Sequence, residues 1–162
     1  MRRIAFLLVA VALAGCGGGS SKSSAPTTTA PVVPKPGPGT VLYQSNPWAV
    51  VLAGTKARAL RLAGGAWRAD TSGAVHIAIL GPLAKAAATP QVAVELSASS
   101  PLAESGIWVD GTELTVKGGG LTPTRGTIYG APSAPLAKGL HVAVAYGRTA
   151  THATAVAWSF RV

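Results

Sequence analysis

The side chains able to do chemistry are few and scattered along this chain. His76, His141 and His152 are its three histidines. None stands at a spacing such as His-x-His or His-x-x-x-His with an acid beside it, which is how metal ligands usually announce themselves. His141 and His152 flank a probable strand pair, so a shared metal would require those two to meet in space. The five carboxylates are Asp70, Glu95, Glu104, Asp110 and Glu113. Asp110 precedes Gly111 and can cap a hairpin turn with its side chain, while Glu95 and Glu113 fall on outward strand positions. No Gly-x-Ser-x-Gly elbow occurs, and Ser72-Gly73 and Ser105-Gly106 read as turns. Lys117-Gly118-Gly119-Gly120 and Thr124-Arg125-Gly126 lack the order of a phosphate-binding loop and read as inter-strand loops. The residues therefore point to a non-catalytic protein with no metal and no cofactor. A catalytic protein would instead need a deep pocket joining Asp70, Glu104 or Glu113 to one of the three histidines at hydrogen-bond distance.

The one dense charged group is Lys56, Arg58, Arg61 and Arg68, with Trp67 inside it and Trp48 upstream. On an extended strand Lys56 and Arg58 share a face and Arg61 takes the other. A basic face carrying aromatic rings suits phosphate-rich polymers or lipid headgroups. The whole chain carries 14 Lys and Arg against 5 acids, a formal charge of +9. Ten of those basic residues and all five acids lie within residues 41–162, which leaves that part at +5.

Cys16 is the only cysteine. Whatever folds downstream has no disulfide and no thiolate of its own, and must rest on its hydrophobic core. Met1-Arg2-Arg3 forms a positive start, residues 4–12 are uninterruptedly apolar, and Leu13-Ala14-Gly15-Cys16 follows at the distance of a cleavage site. The apolar run is shorter than the ~20 residues a bilayer-spanning helix needs. This arrangement resembles the lipobox of bacterial lipoproteins. The resemblance implies export, a diacylglyceryl group on the Cys16 sulfur, cleavage before it, and anchorage by fatty acyl chains such as palmitate. Residues 1–15 would then be a lipoprotein signal peptide, and the mature protein would sit on the extracytoplasmic side of the cell membrane. Nucleic acid is disfavoured as a partner by that location.

Residues 17–40 are rich in Gly, Ser, Thr and Pro and lack the apolar content to fold, so residues 16–40 read as a disordered, lipidated tether. From Val41 the pattern becomes short alternating runs. Val75, Ile77 and Ile79 alternate with small or polar residues, as do Val92, Val94 and Leu96, and Val156, Trp158, Phe160 and Val162. Weaker runs cover residues 48–53, 56–62, 66–70, 107–110, 113–117, 127–129 and 140–146. Ten strands separated by turns at Gly64-Gly65, Ser72-Gly73, Asp110-Gly111 and Lys138-Gly139 describe an all-β sandwich or barrel. Residues 83–88 could form a helical turn confined by Pro82 and Pro90. The expected inward set is Val75, Ile77, Ile79, Val92, Val94, Leu96, Val109, Leu114, Val142, Val144, Val156, Trp158 and Phe160.

The pieces Ile107-Trp108-Val109-Asp110-Gly111, Pro135-Leu136-Ala137-Lys138-Gly139-Leu140-His141 and Ala157-Trp158-Ser159-Phe160-Arg161-Val162 resemble, in order and spacing, bacterial immunoglobulin-like domains of exported proteins. The resemblance implies an immunoglobulin-like antiparallel β-sandwich over residues 74–162. Residues 41–73 lie outside it and read as added hairpins packed on the sandwich. The Asp-rich turn that such domains often carry between their last two strands is replaced here by Gly147-Arg148-Thr149-Ala150-Thr151-His152, so no calcium site is implied. The expected function is that of a lipid-anchored cell-envelope protein with an interaction or structural module. Its candidate contact residues for an anionic envelope polymer or protein partner are Lys56, Arg58, Arg61 and Arg68. The alternative is a small envelope enzyme or a metal-binding accessory domain.

Overall fold

The computed structural model describes residues 33–162 apart from Leu121. The expected signal peptide, Cys16 and most of the expected tether lie outside the described residues. Val33–Val162 forms one compact unit, and among the described residues it is built of strands without helix.

Three antiparallel sheets stack in layers. The first is a meander of β1 (Thr40–Ser45), β2 (Trp48–Ala53), β3 (Lys56–Ala63) and β4 (Ala66–Ala69), in that order. The second runs β5 (Val75–Gly81), β6 (Val92–Ala98), β10 (Arg125–Gly130) and β9 (Lys117–Gly119). The third runs β12 (Ala153–Arg161), β11 (Leu140–Arg148), β7 (Glu104–Val109) and β8 (Thr112–Glu113). The second and third sheets together have the strand order of an immunoglobulin-type sandwich, the chain crossing between them after β6, β8 and β10. Two of the four two-residue hairpins are where the sequence marks them. Ala63 pairs with Ala66 across Gly64-Gly65, and Val109 pairs with Thr112 across Asp110-Gly111. Both central residues of each turn have positive φ, 58° and 77° in the first and 49° and 85° in the second. That is the geometry of a two-residue turn matched to strand twist, and it explains the glycines.

Side-chain alternation in the third sheet serves two cores at once. Ile107, Val109, Ala143, Ala145 and Phe160 point into the sandwich against Ile77, Val92, Val94, Leu96, Leu114 and Ile128. The intervening Trp108, Val144, Tyr146 and Ala153 point the other way, against Trp48, Val50 and Ala59 of the first sheet. Ala155 and Ala157 of β12 join this second interface, and their small size lets β3 approach closely. Gly106 has a comparable role, since a Cβ there would stand 2.6 Å from the Trp108 ring. The third sheet is thus covered on both faces, an arrangement of three layers rather than the usual two.

Several expectations are corrected in detail. Val142 and Val144 face the first sheet instead of the sandwich, because β11 enters with His141 inward. Trp158 is half-buried at the sandwich rim, its Nε1–H donating to the Pro82 carbonyl at 2.9 Å, while Trp108 is the large aromatic with almost no exposure. The run at 113–117 is not one strand. Thr112–Glu113 ends the third sheet, Leu114 turns into the core, and Lys117–Gly119 joins the second sheet. The latter places part of the expected glycine loop in a strand. Residues 83–88 are irregular rather than helical, with a single bridge from Lys85 to Arg161. Ala86 N–H donates to the Arg161 carbonyl and Arg161 N–H to the Ala84 carbonyl, both at 2.8 Å, so this segment satisfies the open edge of β12. The strand β1, unmarked by clean alternation, carries a bulge between Val41 and Tyr43. With that bulge Leu42 and Tyr43, neighbours in sequence, both pack toward the third sheet.

Candidate anionic-surface interface

Packing begins upstream of Val41. Pro36 is fully buried, and Trp67 Nε1–H donates to the Pro34 carbonyl at 2.6 Å. Residues 34–38 run across the outer face of the first sheet, beside Val51, Leu60 and Trp67. A groove of about 580 Å³ lies between this segment and the sheet, with Lys35 and Arg58 in its lining. Proline fits this place because it holds an extended backbone and has no N–H to lose on a covered surface.

The register of β2, β3 and β4 decides where each basic residue goes. In β3, Lys56, Arg58, Leu60 and Leu62 share one face, and Ala57, Ala59 and Arg61 the other. Leu62 pairs with Trp67 and Arg61 with Arg68. Paired residues share a face, so Lys56, Arg58 and Trp67 stand on the outer face with Lys35 nearby. Arg61 and Arg68 stand on the inner face, where it projects past the edge of the third sheet. The four sequence candidates are therefore split two and two. Lys35 lies within residues 16–40, which the composition assigns to the tether. Its only signal is the Pro-Gly-Pro run just before an apolar strand, which describes an extended segment able to lie on a sheet.

Arg61 is held from two sides. Its guanidinium carbon lies 5.4 Å from the centre of the Trp48 ring, and Nη1 is 3.5 Å from the Thr151 carbonyl oxygen, the outer limit of a hydrogen bond. Beside it a shallow cleft of about 190 Å³ is lined by Arg61, Arg68, Asp70, Thr151 and His152.

Four of the five acids have partners outside this basic group. Glu95 pairs with Arg125 at 2.9 Å and Glu104 with Arg148 at 2.7 Å; Glu104 also accepts from the Tyr43 hydroxyl at 2.6 Å. Asp110 Oδ2 lies 2.6 Å from His141 Nδ1, and Asp70 Oδ2 lies 3.2 Å from His152 Nδ1. Among the described residues, Lys56, Arg58, Arg61 and Arg68 form no ion pair. Residues 33–69 hold five basic side chains and no acid. The domain's surplus of positive charge is thus concentrated in its first sheet and the segment lying on it.

The histidines are placed by turns. His141 Nε2 lies 2.8 Å from the Ala137 carbonyl, and Nδ1 faces Asp110. Two acceptors demand two N–H groups, so the Asp110 hydrogen bond, then that to Ala137, raise its pKa above the ordinary histidine value. With both nitrogens committed, the ring is closed to metal ligation and proton abstraction. His141 and His152 stand at opposite ends of β11, separated by ~20 Å or more at 3.3 Å per residue, so no metal can bridge them. His76 is exposed on β5 and pairs with Ser97 of β6. Among the described residues no three His, Cys, Asp or Glu side chains converge as a metal site would require.

The pair Asp70–His152 does bring an acid and a histidine together, in the shallow cleft rather than a deep pocket. Burial pushes the Asp70 carboxyl up. The N–H groups of Ser72 at 2.9 Å and Ala153 at 2.8 Å, with the Ser72 hydroxyl and His152, outweigh burial and hold it below the usual carboxylate range. A carboxylate bound this way joins the end of the first sheet to the start of β12. The Thr149 hydroxyl is used in the turn, accepting from His152 N–H at 3.0 Å.

No protein-family model matches this chain, and no curated protein matches it.

Proposed function

We propose that this protein is a lipid-anchored component of a cell envelope, acylated on Cys16 at the extracytoplasmic side of the membrane. Its β-sandwich is a non-catalytic interaction module that adheres to an anionic envelope surface or partner through the basic first sheet. The observation that carries this reading is the charge of residues 33–69, five basic side chains without an acid, three of them (Lys35, Lys56 and Arg58) on the face where the chain arriving from Cys16 meets the domain. Sixteen residues, 17–32, separate Cys16 from Val33. At roughly 3.3–3.6 Å per extended residue they keep that face within about 60 Å of the lipid anchor. Confinement of that order raises the local concentration of headgroups and makes weak charge attraction sufficient.

The test is binding of residues 33–162 to vesicles. Adhesion to anionic but not zwitterionic bilayers is expected at low salt, fading as exposed charges become screened within ~10 Å near 0.1 M. Neutralising Lys56, Arg58, Arg61 and Arg68 together should abolish it. Adhesion that survives the neutralisation would refute the assignment of the surface.

A further inference from the structure

Arg61 and Arg68 face each other directly across β3 and β4. Like charges opposed in this way destabilise a strand pair, and neither is answered by a carboxylate among the described residues. Arg61 is also preorganised, stacked over Trp48 and reaching the Thr151 carbonyl. The one acid in the cleft is already spent. Asp70 Oδ1 accepts from Ser72 N–H, and Oδ2 accepts from Ala153 N–H and faces His152 Nδ1. With Nδ1 so engaged, Nε2 is the nitrogen His152 has left for a ligand.

We propose that the cleft of Arg61, Arg68 and His152 binds a phosphate group, free or esterified in a lipid headgroup, between the two guanidinium forks. Guanidinium forks match the oxygens of phosphate, and two of them can grip a tetrahedral anion from two sides. The cleft, at about 190 Å³, admits a small anion rather than an acyl chain. Binding would also remove the cost of opposing two arginines. The proposal deepens the anionic-surface reading and rests on it, but it separates a specific site from general adhesion by Lys35, Lys56 and Arg58.

The experiment uses the full-length lipidated protein, nitrogen-15 labelled, in a neutral detergent. It is titrated separately with glycerophosphoglycerol, a soluble headgroup, and with inorganic phosphate. Saturating shifts are expected at the Arg61 and Arg68 Nε–H and the His152 ring. Arg68→Gln, at an exposed position, should weaken binding by about tenfold or more, the loss of a charge-assisted hydrogen bond. Arg61→Lys, which keeps the charge without the fork, should weaken it as well, whereas Lys56→Gln with Arg58→Gln should leave it within about twofold. Tighter binding of the headgroup assigns the cleft to lipid, and the reverse order assigns it to free phosphate; either upholds the site. Shifts that never saturate, or that spread equally to Lys56 and Arg58, overturn it. If anionic vesicles still adhere in that case, the surface reading stands without the cleft; if they do not, both fail.

Discussion

Asp110 holds the start of β11 with both carboxylate oxygens. Oδ2 lies 2.6 Å from His141 Nδ1, and Oδ1 accepts the Val142 N–H at 2.9 Å. The residue sits at φ 49°, so the strain of a left-handed backbone is kept where the turn aims the carboxylate at the next strand. Two of the three sequence pieces that resemble immunoglobulin-like domains, one ending in Asp110-Gly111 and the other in His141, are therefore the two halves of one clasp.

This clasp makes stability depend on pH. The folded His141 titrates above its unfolded value of about 6.5, so its contribution is complete below that pH and is lost as pH rises through the folded value. Thermal melts should show a higher Tm at pH 6 than at pH 9. His141→Gln should flatten that slope and cost about 1–3 kcal/mol at pH 6. An unchanged slope would mean that His141 is not the titrating group.

Asp70 works with the opposite sign. Its folded value is depressed, so its contribution is present above the unfolded value of about 4 and disappears as pH falls through the folded one. Asp70→Asn should destabilise by about 1–3 kcal/mol at neutral pH and reduce the stability lost on acidification. Urea unfolding at pH 3 and pH 7 would measure both.

Tyr146 invites a substitution that removes something and costs little. Its hydroxyl is fully buried with no hydrogen-bond partner, and burial drives its pKa well above the usual phenol value. A buried polar group without a partner is a penalty. Tyr146→Phe should therefore leave stability within about 1 kcal/mol of the parent or raise it, read from the urea midpoint. A larger loss would show that the hydroxyl has a partner in solution.

The two tryptophans of the resemblance should behave differently. Trp108 is almost fully buried between the first and third sheets, and Trp108→Ala should cost about 3–5 kcal/mol. Trp158 is half-buried at the rim, and its loss should cost clearly less. Paired denaturation curves decide this, and equal losses would contradict the placement of the two rings.

The anchor can be tested apart from the fold. Mass spectrometry of the mature N-terminal peptide should find Cys16 as its first residue and acylated. Cys16→Ser should shift the protein from the membrane fraction to the soluble one. Membrane retention of unmodified protein would remove the lipoprotein reading.

Strand type and the hairpin turns were legible in the sequence because two-residue periodicity and Asp-Gly or Gly-Gly turns are local signals. The direction of individual faces was less so. Val142 and Val144 alternate just as core residues should, yet alternation does not say which of two cores a strand with two covered faces will serve. Trp108 was hidden for the same reason, lying between Ile107 and Val109, so that Ile107-Trp108-Val109 reads as one apolar run. Of the basic group, the opposition of Lys56 and Arg58 to Arg61 followed from strand geometry. The pairing of Arg61 with Arg68 needed the Gly64-Gly65 register, and the contribution of Lys35 needed a contact made across more than thirty residues, between Pro34 and Trp67.

The double coverage of the third sheet also bears on the order in which the chain becomes whole. The first sheet is made early, but the floor it rests on is supplied largely by β11 and β12, the last strands to be synthesised. During synthesis its basic residues emerge on a meander whose apolar underside, with Trp48 and Val50, has little to pack against until the last strands arrive. A chain that stopped short of residue 153 would lose the Ala153, Ala155 and Ala157 surface and the Asp70–Ala153 hydrogen bond together. The N-terminal sheet is therefore completed by the C-terminal strands, and an unfinished copy would lack an ordered version of its basic face.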